Sequence, residues 1–131
     1  MPQNSLFRSK LPEKIKQVLS SLSVGYENVD TIDLNRSIND HLSSLNAALK
    51  YNEFIDIATA QRLVEVFEIV FENYHQYDDR EKSYIIGAAR YFVRENDERP
   101  DSQSILGLDD DVQVVNYVLD IIGRSDLKVD I

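Results

Sequence analysis

The chain has 131 residues, 43% of them hydrophobic, with 23 Asp/Glu against 14 Lys/Arg and a formal net charge of −9. That length and apolar content suit one globular domain, residues 1–131, able to bury a core, and support a globular fold rather than disorder. The lack of cysteine excludes disulfide scaffolds, thiolate zinc sites and thiolate catalysis, and the acidic balance disfavours nucleic acid, whose phosphates it would repel.

Apolar residues recur at helical spacing along nearly the whole chain. Ile15, Val18, Leu19 and Leu22 follow Pro12, which suits the first turn of a short helix, and Gly25 is its expected stop. Asp30 or Thr31 is placed to cap a second helix. Its stripe is Leu34, Ile38, Leu42, Leu45 and Ala48, and its solvent side is Asn35, Arg36, Asn39 and Asp40. That helix is expected to end near Tyr51–Asn52.

A third helix is expected from about Asn52–Ile55, with Ile57, Leu63, Val64, Phe67, Val70, Phe71 and Tyr74 as its apolar face. Glu65, Glu68 and Glu72 form a second, acidic stripe at spacings of three and four, where like charges repel mildly. HQYDD then makes a polar turn, and Asp78 with Glu81 has the form of a capping box. The fourth helix presents Tyr84, Ile85, Ala88, Tyr91 and Phe92 on one face. A glycine inside a helix costs about 1 kcal/mol relative to alanine, so Gly87 calls for a packing reason, such as close approach of a neighbouring helix. The fifth helix opens at Asp109–Asp111 and carries Val112, Val115, Val118, Leu119 and Ile122. Gly123 suits its C-terminal stop, with Arg124 beside the last carbonyls. The tail SDLKVDI either frays or packs as a short extended piece.

No strand pattern of period two, no internal repeat and no dividing linker is seen. The expected class is all-α, a single compact bundle of about five helices. No apolar run approaches the roughly 20 residues that a membrane helix needs, and the N-terminal residues show no signal-peptide core. A cytoplasmic location without membrane attachment is therefore expected.

The stretch from Tyr91 to Val114 is the densest in chemistry. Asp97, Asp101, Asp109, Asp110 and Asp111 fall within it around Pro100 and Gly107. Three readings apply. As structure, Asp109 caps the fifth helix, Asp110 and Asp111 sit where the helix dipole favours negative charge, and Pro100 and Gly107 shape the turn. As a metal site, Asp97, Asp101, Asp110 and Asp111 would converge on a hard cation, Mg²⁺ or Ca²⁺, although the spacing is not that of an EF-hand loop. As a catalytic site, the paired carboxylates would serve a metal-dependent enzyme. Nucleotide-binding, serine-hydrolase and zinc-protease motifs are missing. His41 and His75 stand far apart in sequence and read as surface or boundary residues, so no catalytic residues are assigned and no cofactor is expected beyond that cation.

In this stretch the chain resembles the YkvA-like family of bacterial domains of unknown function. The resemblance rests on Tyr91-Phe92, Asp97, Pro100-Asp101, Gly107 and Asp110-Asp111, in order and without gaps. It implies a helix–turn–helix segment at about 78–123 and a bacterial origin, and it carries no known activity. Glu95 stands where the family has its first proline. Glu98, Arg99, Ser102 and Gln103 occupy positions that are apolar in many relatives, so membrane association does not carry over.

Charge is lopsided. Residues 1–50 hold six Lys/Arg against five Asp/Glu, and residues 51–131 hold eight against eighteen. The expected function is a non-enzymatic protein-interaction module of inhibitor or immunity type, docking a protein partner with a basic surface through Glu65, Glu68, Glu72 and Asp109. The alternative is the divalent-metal domain or enzyme centred on the aspartates. A homodimer stays open through any apolar stripe the bundle leaves over.

Overall fold

The computed structural model describes residues 10–51, 55–94 and 107–130. They form an all-α bundle of five helices: α1 (Glu13–Ser23), α2 (Thr31–Ala48), α3 (Ile57–Glu72), α4 (Asp79–Val93) and α5 (Gly107–Ile121). Short 3-10 turns follow α1, α3 and α5 at Tyr26–Asn28, Tyr74–Gln76 and Ser125–Leu127.

The helix ends follow local chemistry. Pro12 precedes α1, and its carbonyl accepts from Lys16 N at 2.9 Å. α1 stops at Val24, followed by Gly25 in a left-handed conformation at φ 78°, which costs glycine little. Asp30 caps α2 by accepting from the Ile32 and Asp33 amides at 2.9 and 3.3 Å. The Asp78–Glu81 capping box is complete, with bonds of 2.8 and 3.0 Å satisfying two orphan donors at once. After α5, Gly123 takes φ 77°, and the Arg124 amide reaches back to the Leu119 carbonyl at 2.8 Å while the Gly123 amide donates to Asp120. This is the Schellman arrangement, in which glycine ends a helix and satisfies its last carbonyls.

Two boundaries differ from the expectation. α2 ends at Ala48, and α3 starts later, at Ile57, because Asp56 caps it. The Asp56 carboxylate accepts from Thr59 N at 3.1 Å and from Thr59 Oγ1 at 2.6 Å. Those bonds hold its pKa below the usual aspartate value.

α4 is the central helix. It packs most extensively on α1 and also on α5 and α2, while α3 packs on α2 and α5. Being enclosed, α4 buries Ile85, Ile86, Gly87, Ala88 and Ala89 in succession, and then Tyr91 and Phe92. A one-sided amphipathic stripe would bury only about every third or fourth residue. Phe92 anchors the aromatic centre: its ring lies 5.7 Å from Phe67 of α3, and His41 of α2 meets it edge-on at 4.9 Å. α5 is likewise buried beyond its expected stripe, with Val114 and Asn116 enclosed as well.

The α1–α4 contact is the most extensive between the described helices and explains Gly87. A Cβ built on Gly87 would overlap Ser23 Oγ and come within 2.9 Å of Leu19 Cδ1 and 3.2 Å of the Leu19 carbonyl oxygen. One turn further on, Arg90 Nη1 donates to the carbonyls of Leu22 at 2.8 Å and Val24 at 2.9 Å. A cation thus meets the negative end of α1 and satisfies carbonyls that no helical amide can reach.

The tail packs rather than frays. Asn116 is buried and makes two bonds to Val129: its Nδ2 donates to the carbonyl at 2.9 Å, and its Oδ1 accepts the amide at 2.8 Å. Lys128 Nζ meets Asp120 Oδ2 at 2.9 Å, and Ser125 Oγ donates to the other Asp120 oxygen at 2.6 Å. The Arg124 side chain turns to Asp126, with two bonds of 3.0 Å, rather than to the α5 carbonyls. Leu127 and Val129 enter the core.

Two stability measurements test this packing. Gly87→Ala should gain helix propensity yet destabilise the protein in urea melts by about 1–2 kcal/mol, because overpacking a close contact outweighs that gain. Adding Ser23→Ala should recover part of the loss; a neutral or stabilising Gly87→Ala would contradict the close approach. Asn116→Ala should cost about 2–3 kcal/mol by stranding both Val129 backbone groups, and amide exchange at Val129 should accelerate; unchanged exchange there would exclude the clamp.

Candidate interaction surface

The acidic residues singled out in the sequence fall into two physically different groups. Glu65, Glu68 and Glu72 lie along the exposed side of α3. The opposite side of that helix buries Ala60, Leu63, Val64, Val66, Phe67 and Val70, so the stripe sits on a helix anchored in the core. Glu65 pairs with Arg62 at 3.4 Å, both side chains being exposed, a geometry worth little in water. Among the described residues no ion pair engages Glu68 or Glu72. Glu72 ends the helix, and no basic residue occupies its last turn. Carboxylates here add to the negative pole of the helix dipole, which costs stability rather than gaining it.

Asp109 and Asp110 occupy the opposite situation, in the first turn of α5. The positive pole there stabilises negative charge, so helix chemistry alone accounts for them. The helix begins at Gly107. Gly107 is therefore a helical residue rather than part of the turn, and Asp109 lies inside the first turn rather than at the cap. Asp109 is exposed, but no hydrogen bond or ion pair among the described residues joins it to the α3 glutamates. Asp97, Pro100 and Asp101 lie outside the described residues.

Asp111 differs from its neighbours. It is half-buried in accessible area and closely surrounded by protein. Burial pushes its carboxyl well above the usual aspartate range; the Asp110 charge adds to the rise, and the Arg94 guanidinium opposes it. Arg94 in turn rests 4.6 Å above the Tyr91 ring. Among the described residues no group of three or more Asp, Glu, His or Cys side chains is arranged to hold a metal ion. His41 is half-buried against Phe92, and His75 is exposed in the turn after α3.

Where α3, α4 and α5 meet, a void of about 10 Å³ lies between Phe67, Val70, Ile85, Ala88, Val118 and Leu119. Its lining is wholly apolar, so it is a dry packing defect with no room for a substrate. No described helix is long and apolar enough to cross a membrane.

One group of side chains has no counterpart in the sequence reading. Lys16 of α1, Tyr84 and Arg80 of α4, and Tyr117 of α5 form a continuous series on the surface. Lys16 Nζ is 5.8 Å from the Tyr117 ring centre, Tyr117 meets Tyr84 edge-on at 6.3 Å, and the Arg80 guanidinium lies 5.3 Å from the Tyr84 ring. Arg80 and Tyr84 share a helix face at i, i+4, which is legible; their meeting with the other two depends on how three helices pack.

Comparison with known proteins finds no matching family model, curated protein or solved structure. Tyr91-Phe92 lies at the end of α4 and Gly107 to Asp111 at the start of α5, and these two helices pack together.

The Asp111 environment makes stability pH-dependent in a defined sense. A carboxyl raised in the folded state binds its proton more tightly there than in the unfolded chain. It therefore favours folding below the ordinary aspartate value, and that advantage is lost as pH rises through the raised value. Asp111→Asn should melt higher than the native chain at pH 7, and the difference should shrink towards pH 4. Parallel melting-temperature profiles for the two proteins would rule out a desolvated Asp111.

Proposed function

We infer that this protein is a non-enzymatic interaction module that docks a partner with a basic surface through the α3 glutamates, an arrangement suited to an inhibitor or immunity-type role. The observation that carries this reading is the placement of Glu68 and Glu72 at the negative end of α3. Capping explains acidic residues at a helix start, and core packing explains the apolar side of α3. Neither explains a run of carboxylates where the helix dipole already concentrates negative potential. Such a surface attracts cations over several ångströms and speeds encounter with a basic partner.

The rest of the reading follows from that surface. α3 is a continuous helix whose apolar side is buried in the core, so its glutamates are already presented on formed structure. The Asp109 carboxylate lies in the first turn of α5, where the helix dipole already accounts for a negative charge. The kinship with YkvA-like domains is part of the same proposal and rests on the residues of α4 and α5 alone.

Exposed substitutions of this kind usually change stability by less than about 0.5 kcal/mol each, so the surface can be tested by charge reversal. Native protein and the Glu65→Lys, Glu68→Lys, Glu72→Lys triple variant should be used side by side to capture partners from the host. A partner rich in Lys and Arg should be retained by the native chain, lose at least tenfold in affinity for the variant, and weaken steeply with added salt. A complex formed equally well by both proteins would remove α3 as the docking face.

A further inference from the structure

The series Lys16–Tyr117–Tyr84–Arg80 lies on a different face from the glutamates. On α5, the residues lining the void against α3 and α4 include Val115, Val118, Leu119 and Ile122. At about 100° per residue, Tyr117 falls on the other side of the helix. The two ends of the series are cationic and its middle is aromatic. Lys16, Tyr84 and Tyr117 are half-exposed, and Arg80 is exposed.

The cations of this series are uncompensated in a chain where acids outnumber bases by 23 to 14. Among the described residues neither Lys16 nor Arg80 has an ion pair; each instead lies near a tyrosine ring. Three of the carboxylates on neighbouring positions are engaged elsewhere. Glu81 accepts the Asp78 amide, Asp79 accepts the Tyr26 hydroxyl, and Asp120 is held by Lys128 and Ser125. Glu13, at the start of α1, is exposed.

The spacing has a chemical meaning. Successive members are 5.8, 6.3 and 5.3 Å apart. An extended peptide advances about 3.3 Å per residue and points alternate side chains to one side, so its same-face side chains repeat at about 6.6 Å. Each step of the series is therefore close to the step between alternate side chains of an extended segment. An acid opposite each cation and an aromatic ring opposite each tyrosine complement it in charge and in stacking.

We propose that this face binds an extended acidic segment of another protein, with the pattern acid–x–aromatic–x–aromatic–x–acid laid along Lys16, Tyr117, Tyr84 and Arg80. Charge complementarity selects this occupant: the end positions demand anions, and the middle positions accept flat rings. A single-stranded nucleic acid offers anions and rings too, but its charge at every nucleotide is opposed by the net charge of −9. The site is independent of the α3 surface, so each can fail without the other.

The probe is a fluorescein-labelled peptide, Glu-Ser-Phe-Thr-Phe-Ser-Glu, blocked at both ends and followed by fluorescence polarisation. It should bind the native chain. Its affinity should fall at least tenfold with K16E/R80E and by a smaller factor with K16Q/R80Q, while E65K/E68K/E72K leaves it within twofold. The same peptide with lysine at both ends should not bind. No binding of the acidic peptide up to millimolar concentration, or equal affinity for the native chain and both Lys16/Arg80 variants, overturns the proposal. So does tighter binding of an oligothymidine of eight nucleotides than of the peptide.

Discussion

The bundle is organised by one close contact, the crossing of α1 over α4 at Gly87. With no side chain on Gly87, Leu19 and Ser23 can sit directly on the α4 backbone. The same approach brings Arg90 within reach of the last carbonyls of α1. Close packing and electrostatic capping therefore act at the same junction. Widening this junction would loosen the dispersion contacts of a buried leucine and lengthen two charge-assisted hydrogen bonds together. That coupling is why a helix-breaking residue stands in the middle of the most enclosed helix.

Because α1 covers one side of α4 and α2 and α5 cover others, the middle of α4 is enclosed, and the outward surfaces are those of the peripheral helices and of the first turns of α4. α3 is the clearest case: its apolar side is used against the core, and its glutamates are left on the outside of the helix. The contrast with the start of α5 shows how position changes the meaning of a carboxylate. At a helix start a negative charge is stabilising and needs no partner to explain it. At a helix end the same charge is unfavourable, so helix chemistry does not account for Glu68 and Glu72 as it does for Asp109 and Asp110.

The C-terminal residues complete the bundle by an unusual economy of polar groups. Asn116 acts towards Val129 as a short piece of backbone would, offering one donor and one acceptor to a segment that has no strand to pair with. Asp120 performs a related service, binding Lys128 and Ser125 together. These contacts lay Leu127 and Val129 against the core, where they cover the end of the α5 region.

Much of the fold was legible in the sequence because its signals are local. The capping box at Asp78–Glu81, the cap at Asp30, the stop glycines Gly25 and Gly123, and the apolar stripes of the helices all act within a few residues, where spacing alone carries the information. Gly87 could be marked as a packing position, since its cost inside a helix needs a reason. Two starts were misplaced for an equally local cause: Asp56 caps α3 through Thr59, and α5 begins at Gly107, two residues before the aspartates thought to open it. The exposure of the α3 glutamates followed from their spacing opposite the apolar face.

What only the tertiary structure decided is how separate helices meet. The sequence could not show that α4 is enclosed on several sides, that Ser23 and Leu19 are the neighbours of Gly87, or that Arg90 reaches across to α1. Nor could it show that Asn116 clamps Val129, or that Lys16 and Tyr117 come together with Tyr84 and Arg80. Each depends on the relative placement of segments far apart in the chain, and residue spacing encodes periodicity along one helix but not its contacts with another.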